Sequence, residues 1–229
     1  MIKEYAAYDN RSVPFQVGDR HVLKAIASNP TQFRANVYFF DEETVTIYDG
    51  FPKSRFHLLL LPRQYIPDVR FLTPSHVNLL QHMFTIGTEI SNFLTQKYLP
   101  GQQEQTFMLG FHSVPSMDQL HMHIISTDFI SPSLKTRKHW NSFHTDFFLP
   151  MSYVLEEVGA GRKLITANSR EQYLNMLKQP LFCHRCKKHF QNMKALKRHI
   201  CECRHLYVGS PKTVSHGTID KYFIKCASP

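Results

Sequence analysis

Histidines alternate with apolar residues in the segment Leu120-His121-Met122-His123-Ile124-Ile125. Because side chains of a β-strand point alternately to its two faces, His121 and His123 are predicted to share one face, together with Gln119. Two imidazoles on a rigid strand suit either phosphate chemistry or metal binding, and alternation alone does not choose between them. The chain has 14 histidines, so a pair at this spacing also arises by chance.

Two further segments carry groups that bind phosphoryl oxygens. Residues 110–117 directly precede the histidine strand, and residues 51–57 precede another predicted strand. Their hydroxyl, cationic and imidazole side chains include Lys53, Arg55, His57, His112 and Ser116. Together with the histidine pair they favour a phosphate site over an ordinary strand surface.

A second cluster near the C-terminus has the spacing of metal ligands. Cys183 and Cys186 are followed after twelve residues by His199, which is the pattern of a zinc finger. Cys203 is the preferred fourth ligand, because a residue four positions after His199 shares its helix face. Three alternatives stay open for that fourth position: Glu202, Cys201 and His205.

Basic residues favour a polyanionic partner. The chain has 27 Lys and Arg against 18 Asp and Glu, for a formal net charge of +9. In the finger, five side chains are predicted to contact DNA phosphates: Lys187, Lys188, Lys194, Lys197 and Arg198. Lys135 and Lys138, beside Trp140, are predicted to add backbone contacts or to form a solvated loop. A single finger reads about three base pairs, so recognition is expected to follow DNA shape, nicks and ends.

The pattern of elements predicts an α+β fold. Strands are predicted at 36–40, 44–48, 56–61, 106–112 and 119–126, and the first three, separated by short turns, indicate an antiparallel meander. Thr73-Pro74 caps one long helix whose apolar residues recur from Val77 to Leu94. A short helix is predicted over 21–28, and Ser169 with Gln172 predicts a capped helix further on.

The N-terminus lacks the pattern of a secretory signal, and the longest apolar run, 56–62, is too short to span a bilayer. We therefore expect an intracellular chain that makes no membrane contact. Its predicted divisions are an N-terminal tail at 1–20, a catalytic domain at 21–150, a connector at 151–180, the finger at 181–206 and a C-terminal tail at 207–229.

The histidine strand resembles the signature of the histidine-triad family, with Gln119 where the first histidine normally stands. More narrowly, GFHSVPSMDQLHMHIIS, DGFPKSRFHLLLLP and LKTRKHWNSF, followed by a finger, are similar to the aprataxin branch, which consists of DNA-adenylate hydrolases. The resemblance runs from about residue 22 to 203. It implies a histidine-triad domain with an antiparallel sheet and a long helix, plus a small C-terminal domain that holds structural zinc.

The resemblance also assigns roles. His121 is the nucleophile that attacks the AMP phosphorus to give an adenylyl-histidine, which water then hydrolyses without a metal. His123 and Ser116 bond the phosphoryl oxygens, while His57 and Lys53 steady the departing phosphate. His112 and Arg55 are weaker candidates for contact with DNA phosphate.

The nucleotide is expected to bind beside these groups. Asp49 stands where family members bond the ribose hydroxyls, although an ordinary turn aspartate is the competing interpretation. The adenine is expected to lie against Leu23, Phe39 and Ile47. Gln119 is expected to keep a supporting role, because an amide still hydrogen-bonds its neighbours.

The leading hypothesis is therefore a nuclear, monomeric repair enzyme that removes AMP from 5′-adenylated DNA ends and nicks left by abortive ligation. The alternative is a histidine-triad hydrolase of free nucleotides, dinucleoside polyphosphates or capped RNA. A third hypothesis, prompted by Gln119, is a DNA-binding adaptor whose catalytic site has decayed.

Overall fold

Six antiparallel strands form the central sheet in a computed structural model that describes residues 5–8, 19–100, 107–164 and 169–203. The strands are β1 (Val37–Phe40), β2 (Thr44–Tyr48), β3 (His57–Pro62), β4 (Phe107–His112), β5 (Met122–Ser126) and β6 (Phe148–Pro150). Their order across the sheet is β1-β2-β3-β5-β4-β6. The predicted α+β class and antiparallel sheet are confirmed.

One face of the sheet is covered by the long helix α2 (Val77–Tyr98). The turn before it is capped by Thr73 and His76, each side chain bonding the other residue's backbone, with Pro74 at the first helical position. Leu58 and Leu60 of β3 and Ile124 of β5 are fully buried against this helix. Each such side chain contributes about 1.5–3 kcal/mol through burial, so this face holds the sheet in place.

The opposite face is divided between two helices. Helix α1 (Val22–Ser28) packs Leu23 and Ile26 over β2 and β3. Helix α3 (Arg137–His144), which Thr136 caps through the His139 amide, covers the other end with Trp140 and Phe143. The histidines of the candidate site lie on this divided face.

The region predicted as a connector is partly a core element. Helix α4 (Met151–Gly159) follows β6 directly and buries Met151, Val154 and Val158 in the same core as α2. Helix α5 (Arg170–Lys178) begins at Ser169, whose hydroxyl accepts the Gln172 amide as expected. Within the described ranges, no helix combines the length and apolar character needed to cross a bilayer.

The C-terminal module consists of β7 (Leu181–Phe182), β8 (His189–Phe190) and α6 (Met193–Glu202), with Asn192 as the helix cap. Its apolar residues Leu181, Leu196 and Ile200 form one buried cluster with Phe129, Trp140 and other residues of the larger domain. The finger is therefore packed into the catalytic domain's core rather than tethered beside it.

The predicted histidine strand is shorter than expected, because β5 begins at Met122 instead of residue 119. Gln119 has φ +83°, in the left-handed region, and this turn ends the extended backbone ahead of His121. The expected tails at 1–20 and 207–229 lie wholly or largely outside the described residues, as do Thr106 and His205.

Candidate active site

Three strand ends bring the predicted histidines together. His57 opens β3, His112 closes β4, and His123 lies in β5 between Leu59 of β3 and Gly110 of β4. A side chain at Gly110 would not fit, since a Cβ there would be 2.4 Å from the Leu149 carbonyl oxygen and 2.7 Å from the Phe148 ring. The glycine therefore allows β6 to close over the sheet next to the histidines.

His57 and His123 form a directed hydrogen-bonded pair. The Lys53 backbone N–H donates to His57 Nδ1 at 3.1 Å, so the proton of the neutral His57 ring is on Nε2. His57 Nε2 lies 2.9 Å from His123 Nδ1 and donates to it. The remaining proton of His123 is then on Nε2, a buried atom that has no protein partner within hydrogen-bond distance. This N–H is available to a ligand oxygen.

His121 carries its proton on the other ring nitrogen, Nδ1. Its Nδ1 lies 2.8 Å from the Gln119 carbonyl oxygen, which can only accept, so the neutral ring carries its proton on Nδ1. The lone pair is left on Nε2, where a nucleophile needs it. The Gln119 amide meanwhile donates to the carbonyls of Pro62 and Gln64, at 2.6 and 2.9 Å. The supporting role expected of Gln119 is thus carried by its backbone and not by its side chain.

All four rings are held in the neutral form. Burial lowers the pKa of His57 to about 4, with Asp49 opposing the shift. Burial also lowers the pKa of His112 and His123 well below the ordinary value, and any positive charge on a neighbouring ring or on Lys53 lowers it further. The pKa of His121 is lowered by burial, although its bond to Gln119 opposes this. A neutral His121 has the lone pair that attack on phosphorus requires.

Asp49 and Lys53 complete the charged part of the site. Burial opposes ionisation of Asp49, but His57 and Lys53 hold its pKa below the ordinary value. Its Oδ2 lies 3.5 Å from His57 Nε2, and its Oδ1 accepts the Phe51 amide at 2.7 Å. The pKa of Lys53 is lowered by burial, with Asp49 opposing, and its ammonium donates to the Phe51 carbonyl.

Asp49, His57 and His123 are close enough to suggest a metal site. However, the Lys53 amide already uses the Nδ1 lone pair of His57. Metal binding through Nε2 would therefore require a doubly deprotonated ring, which is costly. The geometry favours a phosphate-binding hydrogen-bond array at this position.

The remaining predicted catalytic residue, Ser116, is exposed in the loop before His121. Beside that loop, His112 and His121 line a small, open cleft together with Asp68. The Asp68 carboxylate accepts from Arg70 at 2.6 and 2.9 Å, which reduces its repulsion of an anionic ligand. Arg55 is also exposed, with its guanidinium 5.2 Å from the centre of the Phe56 ring.

The predicted nucleobase pocket needs one correction. Leu23 and Ile47 pack together, but Phe39 lies on the opposite face of the sheet, where its ring is 5.2 Å from that of Tyr5. The strand register shifts between Val37 and Phe39, and this bulge reverses the alternation on which the prediction relied. Val37 and Met117 pack against the Leu23 cluster instead. Nothing in the sequence marks the bulge.

Phe143 was not predicted as a site residue. Its ring lies 5.6 Å from that of His57, 4.9 Å from His112 and 5.3 Å from His123. It covers the histidine cluster from the α3 side and contributes to its desolvation. The available signal was its place in the aromatic segment 135–143, which identified the region but not the side chain.

The finger forms a candidate metal centre. Ligand atoms of Cys183, Cys186, His199 and Cys203 all lie within 4.8 Å of one another. The Cys183 and Cys203 sulfurs are 3.9 Å apart, which fits the edge of a tetrahedron with Zn–S bonds of about 2.3 Å. Cys201 and Glu202 are exposed, so the geometry selects Cys203 among the described candidates for the fourth ligand.

The predicted DNA-binding residues fall into two groups. Lys135, Lys138, Lys188, Lys194 and Arg198 are exposed. Lys187 and Lys197 instead have partners inside the chain. The Lys187 ammonium donates to the His184 carbonyl at 3.2 Å, and that of Lys197 donates to the Ser131 carbonyl at 2.8 Å. These two ammonium groups brace the finger, which leaves the exposed group as the better phosphate contacts.

Two family profiles match this chain. One, described as "Scavenger mRNA decapping enzyme C-term binding", covers residues 20–139, and the other, "C2HE / C2H2 / C2HC zinc-binding finger", covers residues 144–205. The chain is 41% identical to aprataxin from Gallus gallus over 79% of its own length and 54% of that protein. It is 30% identical to the aprataxin-like protein of Saccharomyces cerevisiae over 79% of its length and 94% of that protein.

Solved structures give the same result. The aprataxin ortholog Hnt3 in complex with DNA superposes with a TM-score of 0.63 and 29% identity, covering 80% of this chain and 93% of that one. A structure of Hnt3 in complex with DNA and guanosine has a TM-score of 0.54 and 28% identity, covering 80% and 94%. The chain spans about half the length of the aprataxins of Ciona intestinalis, Gallus gallus and Danio rerio that it matches.

Proposed function

We infer the function from the premise that this chain belongs to the aprataxin family, and we propose that it hydrolyses 5′-adenylated DNA ends to release AMP. The observation that carries the proposal is the His121 ring, whose Nδ1 is held by the Gln119 carbonyl so that Nε2 keeps its lone pair. DNA as the substrate is supported by the similarity to a relative solved in complex with DNA and by the exposed lysines of the finger.

In the proposed first step, His121 Nε2 attacks the AMP phosphorus. The bond from that phosphorus to the oxygen of the DNA 5′-phosphate breaks, and the leaving phosphate keeps the electron pair. The His123 Nε2–H donates to a non-bridging oxygen as negative charge develops there. Lys53 and the His57 pair supply the positive and polar surroundings of the phosphate.

In the second step, water attacks the same phosphorus and the P–N bond breaks. The electron pair returns to His121 Nε2 and the water oxygen stays on AMP, where it keeps one proton until the phosphate ionises, while the other proton is released to solvent. One difficult displacement thus becomes two easier ones that use the same hydrogen-bond donors. Ser116 is assigned to a phosphoryl oxygen, and Asp49 to the ribose hydroxyls.

The finger is proposed to hold structural zinc through Cys183, Cys186, His199 and Cys203, and to contact the DNA backbone from its exposed face. When bound, the ion would supply only folding stability, because its ligands are all protein side chains. A role in the nucleus, in repair of breaks left by abortive ligation, follows from the substrate. The chain is proposed to act as a monomer without membrane contact.

The test is AMP release from a 5′-adenylated nick by the wild-type chain and by His121→Ala. We expect the variant to lose at least about 10³-fold in kcat, because it lacks the nucleophile. The matched control is His82→Ala on α2, which covers the other face of the sheet, and its ring lies 2.8 Å from the Asp41 carboxylate. Equal turnover by wild type and His121→Ala would reject the mechanism, and no release by the wild type would reject the activity.

The alternative is hydrolysis of free nucleotides, dinucleoside polyphosphates or capped RNA. One observation that favours retaining it is the family profile over residues 20–139, whose description names an mRNA decapping enzyme. The same assay decides between them. Strong stimulation by nicked duplex supports the DNA substrate, and equal turnover of a free dinucleotide supports the alternative.

A further inference from the structure

One peptide group of the active-site loop is held from both sides. The Pro52 carbonyl accepts a hydrogen bond from Ser131 Oγ at 2.5 Å. The N–H of the same Pro52–Lys53 peptide donates to His57 Nδ1 at 3.1 Å. Because the peptide is planar, fixing its carbonyl also fixes the direction of its N–H. Ser131 therefore bonds the same rigid peptide group whose N–H is directed at His57 Nδ1.

Ser131 is in turn held by the finger. Its backbone carbonyl accepts from the ammonium of Lys197 at 2.8 Å, and the Leu134 carbonyl lies 3.4 Å from the same nitrogen. Lys197 is on α6, two residues before the candidate metal ligand His199. Ser131 is only 7% exposed, so its hydroxyl is shielded from competing water.

A second contact joins the same two regions. His184, in the turn between Cys183 and Cys186, donates from Nε2 to the Thr127 carbonyl at 2.8 Å. Two residues further on, the Phe129 amide donates to Ser54 Oγ at 3.1 Å. The loop 127–134 is thus fixed to the finger on one side and to residues 52–54 on the other.

We propose that Ser131 is a positioning residue for the phosphoryl site and that Lys197 couples the zinc finger to it. Hydrogen bonds connect Lys197 to Ser131, Ser131 to the Pro52–Lys53 peptide, that peptide to His57, and His57 to His123. His123 then presents its Nε2–H to the phosphate. A buried series of this kind is mutually strengthening, and its loss leaves His57 free to change tautomer. This inference rests on the proposed function for its kinetic consequences only.

The kinetic test uses the p-nitrophenyl ester of AMP, a small substrate that excludes effects on DNA binding. Ser131→Ala and Lys197→Met are expected to lower kcat by roughly ten- to hundredfold with little change in KM, because the phosphoryl donor is misdirected after binding. Ser131→Thr and Lys197→Arg keep the donors and are expected to restore most of the rate. Ser133→Ala, in the same loop, is the control and is expected to behave as wild type.

A second measurement does not depend on activity. Imidazole ¹⁵N spectra of the zinc-loaded full chain report the tautomer of each histidine. In the wild type, His57 is expected to show a protonated Nε2, and in Ser131→Ala and Lys197→Met a mixture of tautomers. If Ser131→Ala does not fold, Lys197→Met carries the test, because its methionine keeps most of the apolar stem in place.

Unchanged spectra and unchanged kcat in both variants would overturn the coupling. A fall in kcat that Ser131→Thr does not restore, without a change of tautomer, would also overturn it by indicating general loss of packing. If the wild type releases no AMP from any adenylate, the proposed function fails on its own, and the spectra still decide the positioning role.

Discussion

Two groups of buried histidines differ in what their ring nitrogens face. The first group, which packs against Phe143, is His57, His112 and His123, and the second group, which packs against Phe129, is His144 and His184. In the first, His123 directs its Nε2–H away from any protein acceptor within hydrogen-bond distance. In the second, His144 stacks on Trp140 with ring centres 3.8 Å apart, and His184 donates to the Thr127 carbonyl. Both groups are desolvated, and burial lowers the pKa of His184 as it does that of His123.

The difference shows that burial and a lowered pKa do not by themselves mark a catalytic histidine. What separates the groups is the direction of each ring nitrogen and its access to a cleft. His112 of the first group lines a cleft next to His121, whereas the second group is packed between α3 and the finger. The first group is therefore assigned to chemistry and the second to stability.

The largest expected contrast comes from removing one ring of each group. His123→Ala is expected to lower kcat for AMP release by about 10²–10³-fold, because it deletes a donor to the transition state, and to change stability less. His144→Ala is expected to cost about 2–4 kcal/mol of unfolding free energy, because it opens a cavity beside Trp140. Urea denaturation and turnover of the folded fraction, measured on both variants, test the contrast.

The comparison fails if the two variants show the same pattern. Loss of turnover in correctly folded His144→Ala as large as in His123→Ala would place both groups in the catalytic machinery. His82→Ala on α2, outside both groups, provides the baseline for both measurements.

Zinc removal is expected to lower stability mainly in the region that holds the second group of histidines. Cys183→Ser, or chelation, should lower the free energy of unfolding by several kcal/mol, because Cys183, Leu196 and Ile200 share a buried cluster with Trp140. A single cooperative melting transition at lower temperature is expected by calorimetry. Cys201→Ser is the matched control, since Cys201 is exposed. An unchanged main transition after zinc loss would show that the finger folds independently.

Low pH is expected to lower the free energy of unfolding, over a pH range set by the histidines of the first group. Burial keeps His57 and His123 neutral when folded, with the pKa of His57 lowered to about 4, whereas in the unfolded chain both protonate below about 6.5. The unfolded state thus binds more protons between those values, and stability falls as the pH falls, by about 1.4 kcal/mol per pH unit for each ring. Urea denaturation from pH 7 to 4.5 measures the slope.

The same series on His123→Gln isolates one ring. Its slope should be smaller than that of the wild type by about 1.4 kcal/mol per pH unit. Equal slopes would show that His123 is already protonated when folded, and that its N–H direction does not follow from its partners.

Sequence predicted the parts of the site that depend on local pattern. The antiparallel sheet, the long helix and the cluster Cys183, Cys186, His199 and Cys203 follow from periodicity and ligand spacing. The side chains of His57, His112 and His123 fall into one region, because their strands are neighbours in the sheet. Their tautomers were not predictable, since these depend on backbone partners such as the Lys53 amide.

Other features of the fold do not follow from the sequence pattern. The bulge in β1 moved Phe39 to the other face, and the left-handed turn at Gln119 shortened β5. The sequence predicts a basic segment and a connector where the structure has α3 and α4, because the burial of these helices comes from contacts with distant elements. The hydrogen bond from Lys197 to the Ser131 carbonyl is unpredictable for the same reason. A lysine among other lysines resembles a DNA contact until its partner in the folded chain is known.

The smallest expected effect is a change in the salt dependence of DNA binding, which distinguishes an exposed lysine of the finger from one that is bonded within the chain. Lys194 is exposed, so Lys194→Met should weaken binding to nicked duplex only a few-fold and reduce the slope of log K against log salt by about 0.9, the value for one lost phosphate contact. Lys197→Met should leave that slope unchanged, because its ammonium is bonded to the Ser131 carbonyl. Salt titrations of duplex binding, with Lys178→Met as an exposed control outside the finger, measure the difference. An equal loss of slope in Lys197→Met would show that its ammonium leaves Ser131 for DNA, and that the finger's bracing and binding functions compete for one side chain.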